Sequence, residues 1–163
     1  MNMRTAVFPG SFDPFTLGHL EVLKSSLKIF DKVIVAVGHN SSKGGGFFPT
    51  DIKVQIAKDA VAGLDNVEVC AFSGLTVDFC IEKGAKFIVR GMRTTTDFEL
   101  ERAISQANKR MRPSILTVFI PSSHEYSFIS STVVRDVLVN GGKATDFIPK
   151  NVDINKYLKM IQQ

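Results

Sequence analysis

Residues 7–20, VFPGSFDPFTLGHL, decide the fold. A short apolar strand runs into a Gly/Pro turn, and a helix opens at Gly18 and His19. This order gathers backbone N–H groups, the Ser11 hydroxyl and the His19 imidazole at a helix N-terminus. Such a place favours an anion, because the orphan amides and the helix dipole both point at it. Gly10 lets the main chain approach a phosphate closely.

The rest of the chain repeats the same alternation. Strands are expected at Thr5–Pro9, Lys32–Val37, Val67–Ala71, Phe87–Val89 and Ser114–Ile120. Helices are expected at His19–Phe30, from Thr50 or Asp51 (as the cap) to about Ala62, Leu75–Lys83, Asp97–Met111, Ser130–Val139 and Val152–Ile161. Gly84 reads as the residue that closes the third helix. The second strand is apolar without alternation, as expected of a parallel sheet covered on both faces. The expected fold is therefore α/β: a Rossmann-like, doubly wound, five-stranded parallel sheet of order 3-2-1-4-5 with helices on both faces. Its site belongs at the carboxyl ends of strands one and four, where Ser11, His19, Arg90 and Arg93 lie.

Bulk composition sets limits. With 163 residues, 44% hydrophobic and 22% charged, one domain spanning 1–163 is expected. No apolar run reaches the ~20 residues of a membrane span, and the N-terminus shows no secretory pattern. Cys70 and Cys80 stand in apolar surroundings and read as buried thiols of a reducing cytoplasm. The net charge of +4 suits a phosphate-rich small ligand and is too mild to indicate nucleic acid. No Cys/His spacing suggests a metal site.

Three further groups carry chemistry. Arg90 and Arg93 flank Gly91 and Met92 after the fourth strand, and guanidinium forks match phosphate geometry. Ser130, Ser131 and Thr132, with Arg135 beyond them, open the fifth helix and offer a second anion site. Lys43, on the Gly-rich loop 40–49, either swings over a phosphate or is simply solvated. Asp97 reads as a solvated helix carboxylate or a cap, and His39 and His124 receive no role.

With these residues in place, the chain resembles the bacterial phosphopantetheine adenylyltransferases of the nucleotidyltransferase superfamily. The resemblance rests on FPGSFDPFTLGH (8–19), FSGL (72–75), RGMR (90–93), DFE (97–99) and SFISST (127–132). Many superfamily relatives carry His where this chain has Thr16. The resemblance implies adenylate transfer from ATP to 4′-phosphopantetheine, giving dephospho-coenzyme A and pyrophosphate. By position it makes His19, Lys43 and Arg93 catalytic. It assigns Ser11, Phe12, His19, Gly91, Met92, Arg93, Glu101 and the run Tyr126, Ser127, Phe128, Ile129, Ser130, Ser131 and Thr132 to ATP. Ser11, Lys43, Thr76 and Arg90 fall to the pantetheine substrate. It also implies Mg²⁺ bound with ATP, a homohexamer, and coenzyme A as a candidate feedback inhibitor. The chain departs from the usual pattern at Ser11, Gly44–Gly46, Thr94–Thr96 and Leu100. Competing readings are the same chemistry on another acceptor, a non-catalytic nucleotide-binding regulator, and a fragment of a class I tRNA synthetase.

Overall fold

The computed structural model describes residues 3–39 and 46–163. Their elements follow in the order β1 (Thr5–Gly10), α1 (Leu17–Ser26), β2 (Lys32–Gly38), α2 (Thr50–Ala60), β3 (Val67–Phe72), α3 (Thr76–Glu82), β4 (Phe87–Met92), α4 (Thr95–Met111), β5 (Leu116–Pro121), α5 (Ser131–Val139) and α6 (Ile154–Ile161). The strands form one five-stranded sheet in the order β3-β2-β1-β4-β5, with every neighbour parallel.

The period of two along the strands splits the core. Ala6, Phe8, Val33, Val35, Val37 and Val89 point to one face, where they meet Leu23 of α1, Ile56 of α2, Val134 of α5 and Tyr157 of α6. Val7, Ile34, Ala36 and Ile88 point to the other, against Val77, Phe79 and Cys80 of α3. Residues 33–37 are essentially inaccessible on both sides, which is why β2 shows no polar alternation.

Several boundaries differ from those read in the sequence. Helix α1 runs from Leu17 to Ser26, because Thr16 caps it and the chain leaves the helix at Leu27. Phe30 still packs in the core, from the turn beyond the helix. Neither Thr50 nor Asp51 caps α2; Pro49 holds that position, and the Thr50 hydroxyl pairs with His39 at 2.9 Å. Strand β4 continues through Arg90, Gly91 and Met92, which pair with Phe119, Ile120 and Pro121 of β5. Helix α4 starts at Thr95, since Thr94 accepts the Asp97 N–H and displaces Asp97 as cap. Gly84 does close α3, at φ +65°. Cys80 is buried and Cys70 half-buried, and both are free thiols.

The C-terminal helix is held by one polar contact inside an apolar surface. Tyr157 is fully buried, and its hydroxyl donates to the Asp59 carboxylate on α2. Desolvation, with that carboxylate second, pushes the phenol well above the ordinary tyrosine range. Replacing Tyr157 by Phe keeps the ring and removes the donor to a charged acceptor. The expected result is a loss of ~1.5–3 kcal/mol in urea unfolding; an unchanged midpoint would show that the ring alone docks α6.

Candidate active site

The turn after β1 is fixed from four directions. The Asp13 carboxylate is buried and accepts the backbone N–H groups of Phe47 (2.8 Å) and Phe48 (2.9 Å). The Asp13 carbonyl accepts Arg135 Nη1 at 2.8 Å, and the Pro14 carbonyl accepts the Ser131 hydroxyl at 2.8 Å. At the far end, Leu17 N–H donates to the Phe147 carbonyl at 2.9 Å. These ties hold Phe12 at φ +45°, a left-handed conformation that a bulky residue avoids without such support. Asp13 is thus a key residue, and its bonds to Phe47 and Phe48 leave no local signal in the sequence.

His19 is the third residue inside α1 rather than its first. It completes a capping box with Thr16: the Thr16 hydroxyl accepts the His19 N–H (3.3 Å), and the Thr16 N–H donates to His19 Nδ1 (3.0 Å). Imidazole takes the place that Glu or Gln usually fills. Since a backbone N–H can only donate, Nδ1 is an acceptor and the ring proton sits on Nε2. Part of the residue reaches solvent, but the rings of Phe12, Phe15 and Phe8 lie 4.8, 5.4 and 6.3 Å from the imidazole centroid. Desolvation first, then the charges of Arg93 and Arg90, pull its pKa from 6.5 down to about 3. The histidine is a neutral donor with a fixed tautomer.

Both arginines at the end of β4 are paired. Arg90 holds Glu101 of α4 in a bidentate grip (2.8 and 2.6 Å) and donates Nη1 to the Pro9 carbonyl at 2.5 Å. Arg93 lies 3.4 Å from Asp97, whose carboxylate also accepts the Arg93 N–H at 3.3 Å. Asp97 is therefore an ion-pair partner at the site and not a solvated carboxylate. A Cβ at Gly91 would fall 2.9 Å from Val22 Cγ2, so the residue between the arginines is small where α1 crosses β4.

At α5, Ser130 is the N-cap and accepts the Val133 N–H. Ser131 is committed to Pro14, and Thr132 accepts Arg135 Nη2 at 3.2 Å. The Ile129 carbonyl would stand 3.3 Å from a Cβ at Gly18, which shows how closely the two helix starts approach.

Two adjoining cavities open at this edge of the sheet. The first, about 260 Å³, is lined by Phe72, Thr76, Ile88, Ile104 and Asn108 among others. The second, about 290 Å³, is polar and takes in Ser11, Phe12, His19, Gly91, Arg93 and Ile129 to Thr132. Arg90 and Glu101 line both. Thr16, Asp97, Ser122 and Arg135 also line the second cavity. Their signals were a capping-box spacing, an i,i+4 pair, a strand end and one turn of α5. Met92, Tyr126, Ser127 and Phe128 are not on the cavity walls, and Phe128 is exposed, edge-on to Phe147. Lys43 lies outside the described residues. Among the described residues no group of three His, Cys, Asp or Glu side chains could hold a metal ion.

These contacts set two outcomes. A pKa depressed from 6.5 to about 3 means that folding disfavours the protonated ring. His19 then contributes stability above about pH 6.5 that is lost as pH falls toward 3. In the ligand-free protein, long-range ¹H–¹⁵N spectra should show an Nε2–H tautomer with no titration from about pH 8 to 5; a midpoint near 6.5 would overturn it. Replacing Asp13 by Asn turns one acceptor toward a backbone N–H into a donor. A loss of ~1–3 kcal/mol is expected in chemical denaturation, and no loss would show that the two N–H groups find other partners.

The sequence comparisons show the family, and the solved structures the fold. The cytidylyltransferase-like family model matches residues 7–137. A phosphopantetheine adenylyltransferase of Lachnoclostridium phytofermentans is 44% identical over 150 residues, covering 92% of this chain and 91% of that one. Its namesake from Syntrophomonas wolfei is 43% identical over 159 residues, 98% of each chain. Among solved structures, a bifunctional NMN adenylyltransferase/ADP ribose pyrophosphatase from Francisella tularensis superposes with a TM-score of 0.69 at 19% identity over 99% of this chain. This chain spans about half of that protein, 51% of its length. A lipopolysaccharide core biosynthesis protein from Thermoplasma volcanium gives 0.53 at 22% identity, covering 75% of this chain and 98% of that one. The two structures share the fold, and the sequence relatives supply the rest: this chain belongs to the phosphopantetheine adenylyltransferase family of cytidylyltransferase-like proteins.

Proposed function

We propose that this chain is an enzyme that transfers adenylate from ATP to 4′-phosphopantetheine, giving dephospho-coenzyme A and pyrophosphate, with residues 1–163 acting as one nucleotidyltransferase domain. The observation that carries the reading, beside the family, is the pair of cavities meeting at Arg90. The polar one suits a triphosphate, with two helix starts and the His19 Nε2–H turned toward it. The other has apolar walls at Phe72, Ile88 and Ile104, the polar Thr76 and Asn108, and the Arg90 cation on its lining, which suits a phosphate ester with an extended amide-bearing arm.

The chemistry needs no general base. A phosphate monoester has its second pKa near ~6 and is mostly dianionic at neutral pH. One of its oxygens attacks the α-phosphorus of ATP in line. The new P–O bond forms as the bond to the bridging oxygen breaks, and its electron pair leaves with pyrophosphate. The obstacle is the approach of two anions, so positioning and electrostatics dominate. His19 donates from neutral Nε2 to a non-bridging α-phosphate oxygen. Arg93 and the amides at α1 and α5 take up the charge that develops, and Arg90 orients the attacking phosphate. Lys43 is assigned by family position to the same charge, and Ser11 to both substrates.

Mg²⁺ belongs with the nucleotide. The site carboxylates Glu101 and Asp97 are engaged by Arg90 and Arg93, so these residues do not build a metal site of their own. The ion would be held by phosphate oxygens and water, where it supplies charge neutralisation.

Assembly as a homohexamer follows from the family and has support on the surface. Helix α4 buries none of its residues, and Phe98, Leu100, Ile104 and Met111 are exposed on it, near exposed Leu116 of β5. A cytoplasmic setting accords with the free thiols, and among the described residues no helix is long and apolar enough to cross a membrane.

The deciding assay is pyrophosphate release with ATP, Mg²⁺ and 4′-phosphopantetheine, with CTP and other phosphate acceptors as controls. Release that needs both named substrates and yields dephospho-coenzyme A is expected; ATP binding without turnover would favour a regulator. In the same assay, His19→Ala should lower kcat by ~10²-fold or more, the scale of a lost oxyanion donor. An unchanged kcat would remove His19 from the chemistry.

A further inference from the structure

The two cavities share the main chain at Pro9 and Gly10 and one ion pair. Arg90 projects from the end of β4 and Glu101 from the second turn of α4, and both line both cavities. Arg90 gives Nε and Nη2 to the two oxygens of Glu101 and Nη1 to the Pro9 carbonyl on β1. Three of its five N–H groups are thus used inside the protein, all in one plane. The Glu101 side chain is only 12% exposed, against 31% for Arg90, so the carboxylate is the fixed half of the pair. In the ligand-free protein the one guanidinium shared by the two cavities is neutralised by a carboxylate that also serves both.

We propose that Glu101 is a positioning residue that couples the two cavities, by exchanging its hold on Arg90 for a hydrogen bond from a ligand in the nucleotide cavity. This rests on the reading given under Proposed function. A carboxylate that grips Arg90 with both oxygens competes with any phosphate in the first cavity for the same fork. A hydroxyl-bearing ligand in the second cavity, such as the ribose of a nucleotide, donates to one Glu101 oxygen and loosens that grip. Arg90 then turns its fork to the acceptor phosphate. Occupation of one cavity thereby favours occupation of the other, and by linkage the effect is reciprocal. A free phosphate acceptor meets a tied Arg90; one arriving beside bound nucleotide meets a released one.

The test is a binding cycle by calorimetry, with α,β-methylene-ATP and 4′-phosphopantetheine as probes, since the methylene bridge blocks transfer. In the wild-type protein each probe should lower the Kd of the other by about 5-fold or more, the usual range for coupled sites. In Glu101→Gln one acceptor and the negative charge are lost, so the bidentate grip on Arg90 is broken. 4′-Phosphopantetheine alone should then bind several-fold tighter than to wild type, and the coupling should fall to about 1- to 2-fold. A carboxylate that merely supported the fold would weaken binding and leave the ratio unchanged. Arg90→Lys is the second variant: it keeps the charge, loses the fork, and should also lose the coupling. Wild-type coupling retained in Glu101→Gln, or weaker binding of 4′-phosphopantetheine alone, would overturn this inference. Failure of the wild-type protein to bind either probe would overturn the functional reading and this inference together.

Discussion

The sheet is closed unevenly across its middle, and the site exists because of it. β1 and β2 stay in register from Thr5 to Gly10, and β4 and β5 from Phe87 to Met92. Between β1 and β4 the pairing is confined to Ala6 with Phe87 and Val7 with Ile88. Beyond Val7 the two strands part while their outer neighbours continue to hold them. Two parallel strands that diverge at their carboxyl ends leave an open crevice with unpaired main-chain groups on its walls. Arg90 answers one of these by donating to the Pro9 carbonyl across the gap. The turn 11–16 follows β1 at the same edge and is tied to α5 through the Asp13 and Pro14 carbonyls.

A crevice of this kind gathers positive potential. Two helix starts face it, and three guanidiniums lie on its walls. The protein offsets this from within. Glu101 neutralises Arg90, Asp97 neutralises Arg93, and the fork of Arg135 is spent on the Asp13 carbonyl and the Thr132 hydroxyl. His19 responds differently: enclosed by phenylalanine rings and facing Arg93 and Arg90, it stays neutral. A neutral imidazole adds no repulsion between cations yet still presents a donor, which a protonated ring could do only at a high cost in that setting.

Much of this was legible in the sequence, for physical reasons that differ by residue. The apolar run of β2 revealed a sheet covered on both faces, and the strict alternation of elements left few topologies. Gly10, Ser11 and His19 were found because a turn between strand and helix is a local feature, readable from neighbours in sequence. The end of β4 is harder to read: Arg90 looks like a loop residue until β5 is seen to pair alongside, while Arg93 does follow the strand. The ties of Asp13 to Phe47 and Phe48, and of Arg90 to Glu101, join residues from different elements, and no spacing rule brings them together. Thr16 and His19 are the instructive case, since their spacing is that of a capping box. The pattern was hidden because imidazole replaced the familiar carboxylate or amide.

The last step concerns what the fold leaves open. Structures at 19% and 22% identity share this sheet, so the crevice alone does not choose an acceptor. The elements that differ in exposure suggest where choice resides. The second cavity is built mainly from β1, α1, β4 and α5, which pack in the core or are capped by named bonds, with Asp97 and Glu101 of α4 at its wall. The first cavity draws on Phe72 at the end of β3, Thr76 at the start of α3, and Ile104 and Asn108 on α4, a helix that buries none of its residues in the isolated chain. Ile104 and Asn108 on this helix can change without disturbing the core, and those changes alter the walls of the first cavity alone. On the function proposed above, the common chemistry falls on the well-packed half of the crevice and recognition of the acceptor on the half that draws on exposed α4.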